Sequence, residues 1–521
     1  MKHRLLTMLL CCACLGRTDT QAATPRPDPV QEAATRIDAA LMRDYASSQQ
    51  RLFQRNNRPL PPLPPPVDDA SFLRRACIDL AGRLPTPEEV RRFLASSQPE
   101  KRARLADALV KDTGAAEARF RMLAEAYRVK DDVAVIAWLR QAATDDRPYD
   151  QIVNYLVGEG HISRRDEGNP LRTGTEVAFA VLGADLHCAL CHDHPYNSHT
   201  EMEAYQFAAC FTMNDDFSHL DLPKDYLYQD GKPAERVKPR VLRLTREVPP
   251  YMKRGKDSKP VVAQWMTKDN PERFAAVAGL RVWSQLFGMP SRYVDRTIGG
   301  VDPAPSWHEV HAKPFANEVS SNCFTTPNRD LITWIDQDFF KDPEATAVKV
   351  LAEEFRRCGH RIGEFQRILA RTNAYQRSGI DLNHAWSGGY LTPAPQIRRL
   401  PSEVIWDVFA IEKSAQLPQV PPFEHPLRML GRGTREWSDE STTPVSHELV
   451  RFMMNSPEME SAAAAQAAGS SAEDLFVSIL GRYPDGIEKA IAIQHQNEAP
   501  QTAARDIAWA LLNTREFMFR P

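Results

Sequence analysis

Cys188-Ala-Leu-Cys191-His192 combines residue types and spacing that do chemistry together. Two thiols three apart can form thioethers to one macrocycle edge, and the imidazole that follows can reach the iron as axial ligand. With 9 Cys and 14 His in 521 residues, such a string arises by accident in about 0.4% of chains of this composition. The reading is therefore a c-type haem on Cys188 and Cys191 with His192 as proximal ligand. Two other chemistries fit the same residues. Cys188, Cys191, His192 and His194 can hold zinc or iron directly, with His187 and His199 crowding the same stretch. Cys188 and Cys191 can also form a C-x-x-C disulfide. Beside a haem, His194 is placed around the site rather than on the iron, because a two-residue offset from His192 is awkward for a second bond to the same iron. Met202 and Met213 are candidates for the distal position, although helical Met more often fills gaps in a core.

These residues need elements to position them. Val177, Val181, Ala184, Cys188 and Cys191 fall at helical spacing, which predicts a helix leading into the motif with both thiols on one face. A second helical segment, 201–211, follows.

The rest of the chain sets the compartment and the scaffold. Lys2, His3 and Arg4 precede an apolar run from Leu5 to Leu15, and Thr20-Gln21-Ala22 supplies small residues for cleavage. This is the pattern of a secretory signal peptide over 1–22, so the mature chain is expected outside the cytoplasm, periplasmic or secreted, where c-type haem is attached. No later segment is apolar enough to span a bilayer. Lys and Arg number 65 against 68 acids, a net charge of −3, which gives no field to gather nucleic acid. Of the cysteines beyond the leader, Cys77, Cys210, Cys323 and Cys358 can form one or two bridges, in a pairing the sequence does not fix.

Residues 23–36 read as a polar leader, Ile37 to Phe53 as a helix, and Pro59 to Pro66 as a polyproline spacer. Amphipathic helices follow from 71 to 158. Thr86-Pro87-Glu88-Glu89 is a helix start, with Thr86 as N-cap and Glu89 closing a capping box. Leu80-Ala81-Gly82-Arg83-Leu84-Pro85 returns near the other end as Leu480-Gly481-Arg482-Tyr483-Pro484, which suggests a shared helix-turn-helix element whose C-terminal copy packs on the N-terminal part. Residues 215–260 turn polar, and Arg240 to Leu244 alternates like a strand; helical pattern then resumes from Val261 to Phe519. The fold class is mainly α: two helical lobes with a small β-containing insertion between them. The units are 1–22 leader, 23–66 helix and spacer, 67–214 with the Cys-x-x-Cys-His motif, 215–260 linker, and 261–521. No catalytic residue is singled out: no nucleophile elbow, phosphate loop or dinucleotide fingerprint sits in a supporting context.

Val181 to Tyr196, around the motif, resembles the signature of the planctomycete-type cytochrome-like domain family, exported proteins of unknown function. Phe72-Leu73-Arg74-Arg75 with Leu80 to Glu89 is similar to its opening block, and Arg147 to Gln151 to its middle block. The later half resembles the companion planctomycete-specific family, through Asn270-Pro271, Arg281-Val282-Trp283, Leu286-Phe287-Gly288, Arg399 to Glu403 and Ala510 to Phe517. Thr326-Pro327-Asn328-Arg329-Asp330-Leu331 departs from that pattern, where relatives carry Ser-His-Pro-Glu-Leu-Leu. The resemblance implies an extracytoplasmic protein with an exported sulfatase-like partner and assigns no reaction. It leaves two expectations: a haem protein of envelope redox or electron transfer, or a non-haem metal or structural component of an exported degradative complex.

Overall fold

The computed structural model describes residues 28–56, 62–129, 132–162, 170–184, 186, 188–190, 193, 199–212, 220–221, 236–244, 250–251, 258–288, 346–380, 391–409, 425–430 and 447–520. Helices dominate them, and the fold is mainly α.

The first helix, Pro29–Asn56, starts inside the stretch read as a polar leader. Its polar composition conceals an apolar stripe in which Ala33, Ala34, Ile37 and Leu41 are buried. Asp44 caps the facing helix Thr346–Arg357 by accepting the Ala347 N–H at 2.8 Å. The proline spacer is not a free strut either. Pro65 accepts the Ser378 N–H at 2.8 Å, and Pro66 bridges Arg377.

Pro271–Phe287 is the axis of the larger core. It is apolar nearly all round, with Phe274, Val277, Leu280, Val282, Trp283 and Phe287 buried, as a central helix must be. It packs on Thr346–Arg357, on Ile362–Ala370 and on Pro170–Leu182. Each large side chain withdrawn there contributes about 1.5–3 kcal/mol. This core joins helices from both sides of 215–260, from Ala33 through Leu391, together with Val477. A second core gathers Leu400 through Met518 around Trp406, Phe476 and Phe517, with Ile78 of the first part. The two cores interleave along the chain, with Val477 in the larger and Ile78 in the second.

Strands are few. Leu220–Asp221 pairs antiparallel with Arg236–Val237 inside the stretch expected to hold strands. Arg240 makes an isolated bridge to Tyr251, and 241–244 is not a strand. A second ribbon lies outside that stretch, joining Arg398–Arg399 to Phe519–Arg520.

The repeated sequence element is repeated structure. Gly82 and Gly481 both adopt left-handed φ, +64° and +76°, and end the preceding helices. The next residue, Arg83 or Arg482, donates to the following carbonyl at 3.1 Å in both copies. Each arginine also forks onto the glutamate of the next capping box, Glu89 at 2.8 Å or Glu488 at 2.6 Å. A second acid completes each clamp, Asp112 at 2.8 Å or Glu516 at 2.6 Å. The copies are in contact. Arg74 donates to the Ile479 carbonyl at 2.8 Å, Arg91 pairs with Asp474, and a Cβ on Gly481 would lie 3.2 Å from Pro85.

Candidate functional site

The segment before the motif is the helix Pro170–Leu182. It does not run on through Ala184 to Cys191, as the spacing suggested. Gly183 takes φ +63° and the Ala184 N–H turns back to the Ala178 carbonyl, closing the helix. The apolar spacing past Gly183 comes from Ala184 and Leu186 entering the core from a non-helical chain. Two arginines of Pro271–Phe287 donate to buried carbonyls at this helix end. Arg281 donates to Ala180 O at 2.8 Å and Arg273 to Leu182 O at 2.6 Å. Cations there oppose the negative end of the helix dipole. Arg281 also donates to the Tyr149 hydroxyl at 2.7 Å, which sits 2.9 Å from the Tyr127 hydroxyl. Burial pushes the Tyr127 phenol well above its usual range.

Cys188–Leu190 forms a single 3-10 turn, with Ala189 buried. The helix Glu201–Ala208 packs against this turn and against Pro170–Leu182. The approach to the latter is close enough that a Cβ on Gly174 would lie 2.9 Å from Ala208 Cα.

Side chains tie the chain after the motif to the start of that helix. The Asp193 carboxylate accepts the Glu201 N–H at 2.9 Å, and Thr200 caps by accepting the Glu203 N–H at 3.2 Å. His199 is 4% exposed, with Nδ1 3.2 Å from Glu203 Oε2. The other oxygen of Glu203 accepts the Arg243 N–H. Glu203 is a site residue that the motif alone does not single out. The His-x-x-x-Glu spacing across an N-cap threonine is the signal that pairs it with His199.

Of the residues singled out in sequence, Met202 is half-buried and packs with Leu171 against Tyr205 and Val237. Cys191, His192, His194, Met213, His187 and Cys323 lie outside the described residues, as do residues 1–22, the block at 326–331 and the side chain of Cys188. Cys77 and Cys358 are free thiols, and the Cys210 thiol donates to the Gln206 carbonyl at 3.7 Å. Among the described residues no three His, Cys, Asp or Glu side chains converge on a metal site, and no helix is long and apolar enough to cross a membrane.

A buried charge cluster lies at the joint between the two cores. Asp79, whose side chain is 1% exposed, accepts from Arg520 at 2.5 Å and from the Tyr375 hydroxyl at 2.9 Å. Arg398 stands 3.9 Å away. Arg75 donates to the Tyr375 and Arg377 carbonyls at 2.6 and 2.7 Å. Arg74 spans to Phe517 O at 2.9 Å, and burial lowers its guanidinium to about 10. Arg74 and Arg520 span the two cores.

Residues 52–174 match the family model described as PSCyt2, a protein of unknown function (DUF1549). The matched span covers the helices from Asp69–Ala81 to Tyr149–Gly158 and ends before Cys188. Neither the curated proteins nor the solved structures contain a match to the chain.

Proposed function

We propose that this chain is an exported cytochrome-like protein carrying one c-type haem and acting in redox or electron transfer in the cell envelope. Cys188 and Cys191 supply the thioether sulfurs and His192 the proximal imidazole. The observation that carries the reading is the Cys-x-x-Cys-His spacing itself. The surroundings of the motif support it. A turn opened by Cys188 lies between a helix end held by Arg273 and Arg281 and a helix start tied to Asp193. A haem bound there supplies a one-electron couple; the chain's own part is to hold it and limit water around it. The positively charged, then apolar, N-terminus supports export, since attachment occurs outside the cytoplasm.

The resemblance of 261–521 to the companion planctomycete-specific family, and the sulfatase-like partner it implies, belong to the same proposal. So do the units 67–214 and 261–521, which on this reading fold around shared cores. A second reading has zinc or iron on Cys188, Cys191, His192 and His194, within an exported degradative complex. A buried imidazole paired with a carboxylate beside the motif, His199 with Glu203, is a common surrounding for either metal.

The visible spectrum of the mature protein, from a host with c-type maturation machinery, separates them. A Soret band with one iron per chain supports haem. No Soret band, with one zinc or non-haem iron that is lost in Cys188→Ala, replaces it with the second reading.

A further inference from the structure

We propose that the outer face of the helix Gly486–Glu498 docks a second molecule of this chain, giving a weak two-fold dimer. The proposal is independent of the haem reading.

This helix is apolar on the side away from its own fold. Its inner face carries Glu488, Ala492 and His495, at i, i+4 and i+7. Glu488 accepts from Arg482, Ala492 is buried, and His495 Nε2 lies 3.2 Å from Asp506 of the helix Ala503–Leu512. The opposite face carries Ile487, Ala490, Ile491 and Gln494, all four exposed. Ile487 is 74% and Ile491 61% exposed, and the exposed Ile493 flanks them. Single exposed apolar residues are ordinary, but a row at i, i+3 and i+4 makes one continuous patch.

The chain contains its own control for that face. Gly82, Arg83 and Glu89 of the N-terminal element match Gly481, Arg482 and Glu488 at one constant offset. At the same offset Phe93 matches Ala492, and both are buried. Glu88, Arg91 and Arg92, all exposed, then stand where the C-terminal element has Ile487, Ala490 and Ile491. The same helix start therefore accepts charge at these positions, and its packing does not call for isoleucine. Apolar residues that the fold itself does not use mark a surface that something covers.

Charge and area identify the occupant. The face itself carries no charged side chain, and the charges beside it are answered within the chain. Arg482 pairs with Glu488 and Glu516, and Lys489 stands 3.9 Å from Glu473. Two such faces meet without like charges opposed, as an isologous contact requires. Ala490 is small, so two helices crossing antiparallel there approach closely, with Ile491 of each against Ala490 of the other. A lipid surface fits less well. Lys489 is the one Lys or Arg of this helix, whereas helices that lie on membranes have a basic polar face. Thirteen residues make a helix about 20 Å long, whose single face falls well below the roughly 800 Å² per partner of a stable complex. The dimer is accordingly weak, with a dissociation constant on the order of 10–100 µM.

Sedimentation velocity of the full chain tests this over about 1 to 300 µM. The wild type should move from monomer towards dimer across that range. The triple variant Ile487→Glu/Ala490→Arg/Ile491→Arg, which copies the N-terminal element, should stay monomeric with unchanged far-ultraviolet dichroism and melting temperature. Ile491→Asp and Ile491→Arg should each be monomeric alone, and their equimolar mixture should dimerise, because the two-fold sets these positions against each other. That mixture decides the matter even if the triple variant accumulates poorly. A wild type that stays monomeric throughout, or a triple variant that dimerises as the wild type does, overturns the proposal. So does a monomeric wild type that sediments with anionic phospholipid vesicles while the triple variant does not, which would give the face to a lipid surface.

Discussion

Replacing Asp79 with alanine should unfasten the two cores. Its side chain is 1% exposed and is the acid facing Arg520 at 2.5 Å and Arg398 at 3.9 Å. Removing it leaves guanidinium charge in a buried site and strands the Tyr375 hydroxyl, which donates to it at 2.9 Å. Deleting one partner of a buried pair costs about 3–5 kcal/mol, mostly the penalty on the charge left behind. Arg520→Met alone should cost less, because Asp79 keeps the Tyr375 hydroxyl and Arg398 nearby. The double variant Asp79→Ala/Arg520→Met should recover part of the loss, with a coupling energy of about 2 kcal/mol. Urea unfolding followed by tryptophan fluorescence reads this directly. With a slope of about 3 kcal/mol/M, a 4 kcal/mol loss lowers the midpoint by roughly 1.3 M. A loss below about 1 kcal/mol for Asp79→Ala, or strictly additive single variants, would refute the view that this ion cluster joins the cores.

Gly183 holds φ +63°, so Gly183→Ala should cost about 1–2 kcal/mol in urea unfolding and reduce haem occupancy on a stained gel by misplacing the turn that follows. The Arg83 guanidinium beside Glu89 lowers that carboxyl from 4.5 to about 2. A depressed carboxyl stabilises above its unfolded value and loses that contribution as pH falls, here between about 4.5 and 2. The exposed part of the pair is screened, so about 1 kcal/mol is expected. Arg83→Met should flatten the acid limb of a stability-against-pH curve, and an unchanged limb would count against the clamp. Burial pushes the Cys358 thiol up to about 12 and raises Cys77 and Cys210 as well. Peptide mapping after alkylation of the folded protein at pH 8 should find all three unmodified, and labelling only after denaturation.

Local signals carried well from sequence to structure because their causes are local. Thr86, Pro87 and Glu89 form the expected capping box, and the two Gly-Arg turns proved to be the same clamp in contact with each other. The helix stop at Gly183 was equally local. It was outweighed by an apolar spacing through Ala184, Cys188 and Cys191, which a non-helical chain entering the core also produces. The start at Pro29 was hidden by polar neighbours around a narrow alanine and isoleucine stripe. Long-range partners left no sequence signal: Arg520 meets Asp79 across 441 residues, and Arg281 meets Ala180 across 101. At the candidate site, the motif and the acids and imidazoles around it were legible by type. The pairing of His199 with Glu203, and the tie from Asp193 to Glu201, depend on how one helix start folds against the turn.

The most direct test of the central claim is a denaturing gel stained for haem peroxidase activity, with intact mass of the same band. Covalent haem survives denaturation, so the wild type from a host with c-type maturation machinery should stain and carry the mass of one haem. Cys188→Ala with Cys191→Ala should do neither. A wild-type band that never stains and whose mass is that of the bare polypeptide would contradict the account.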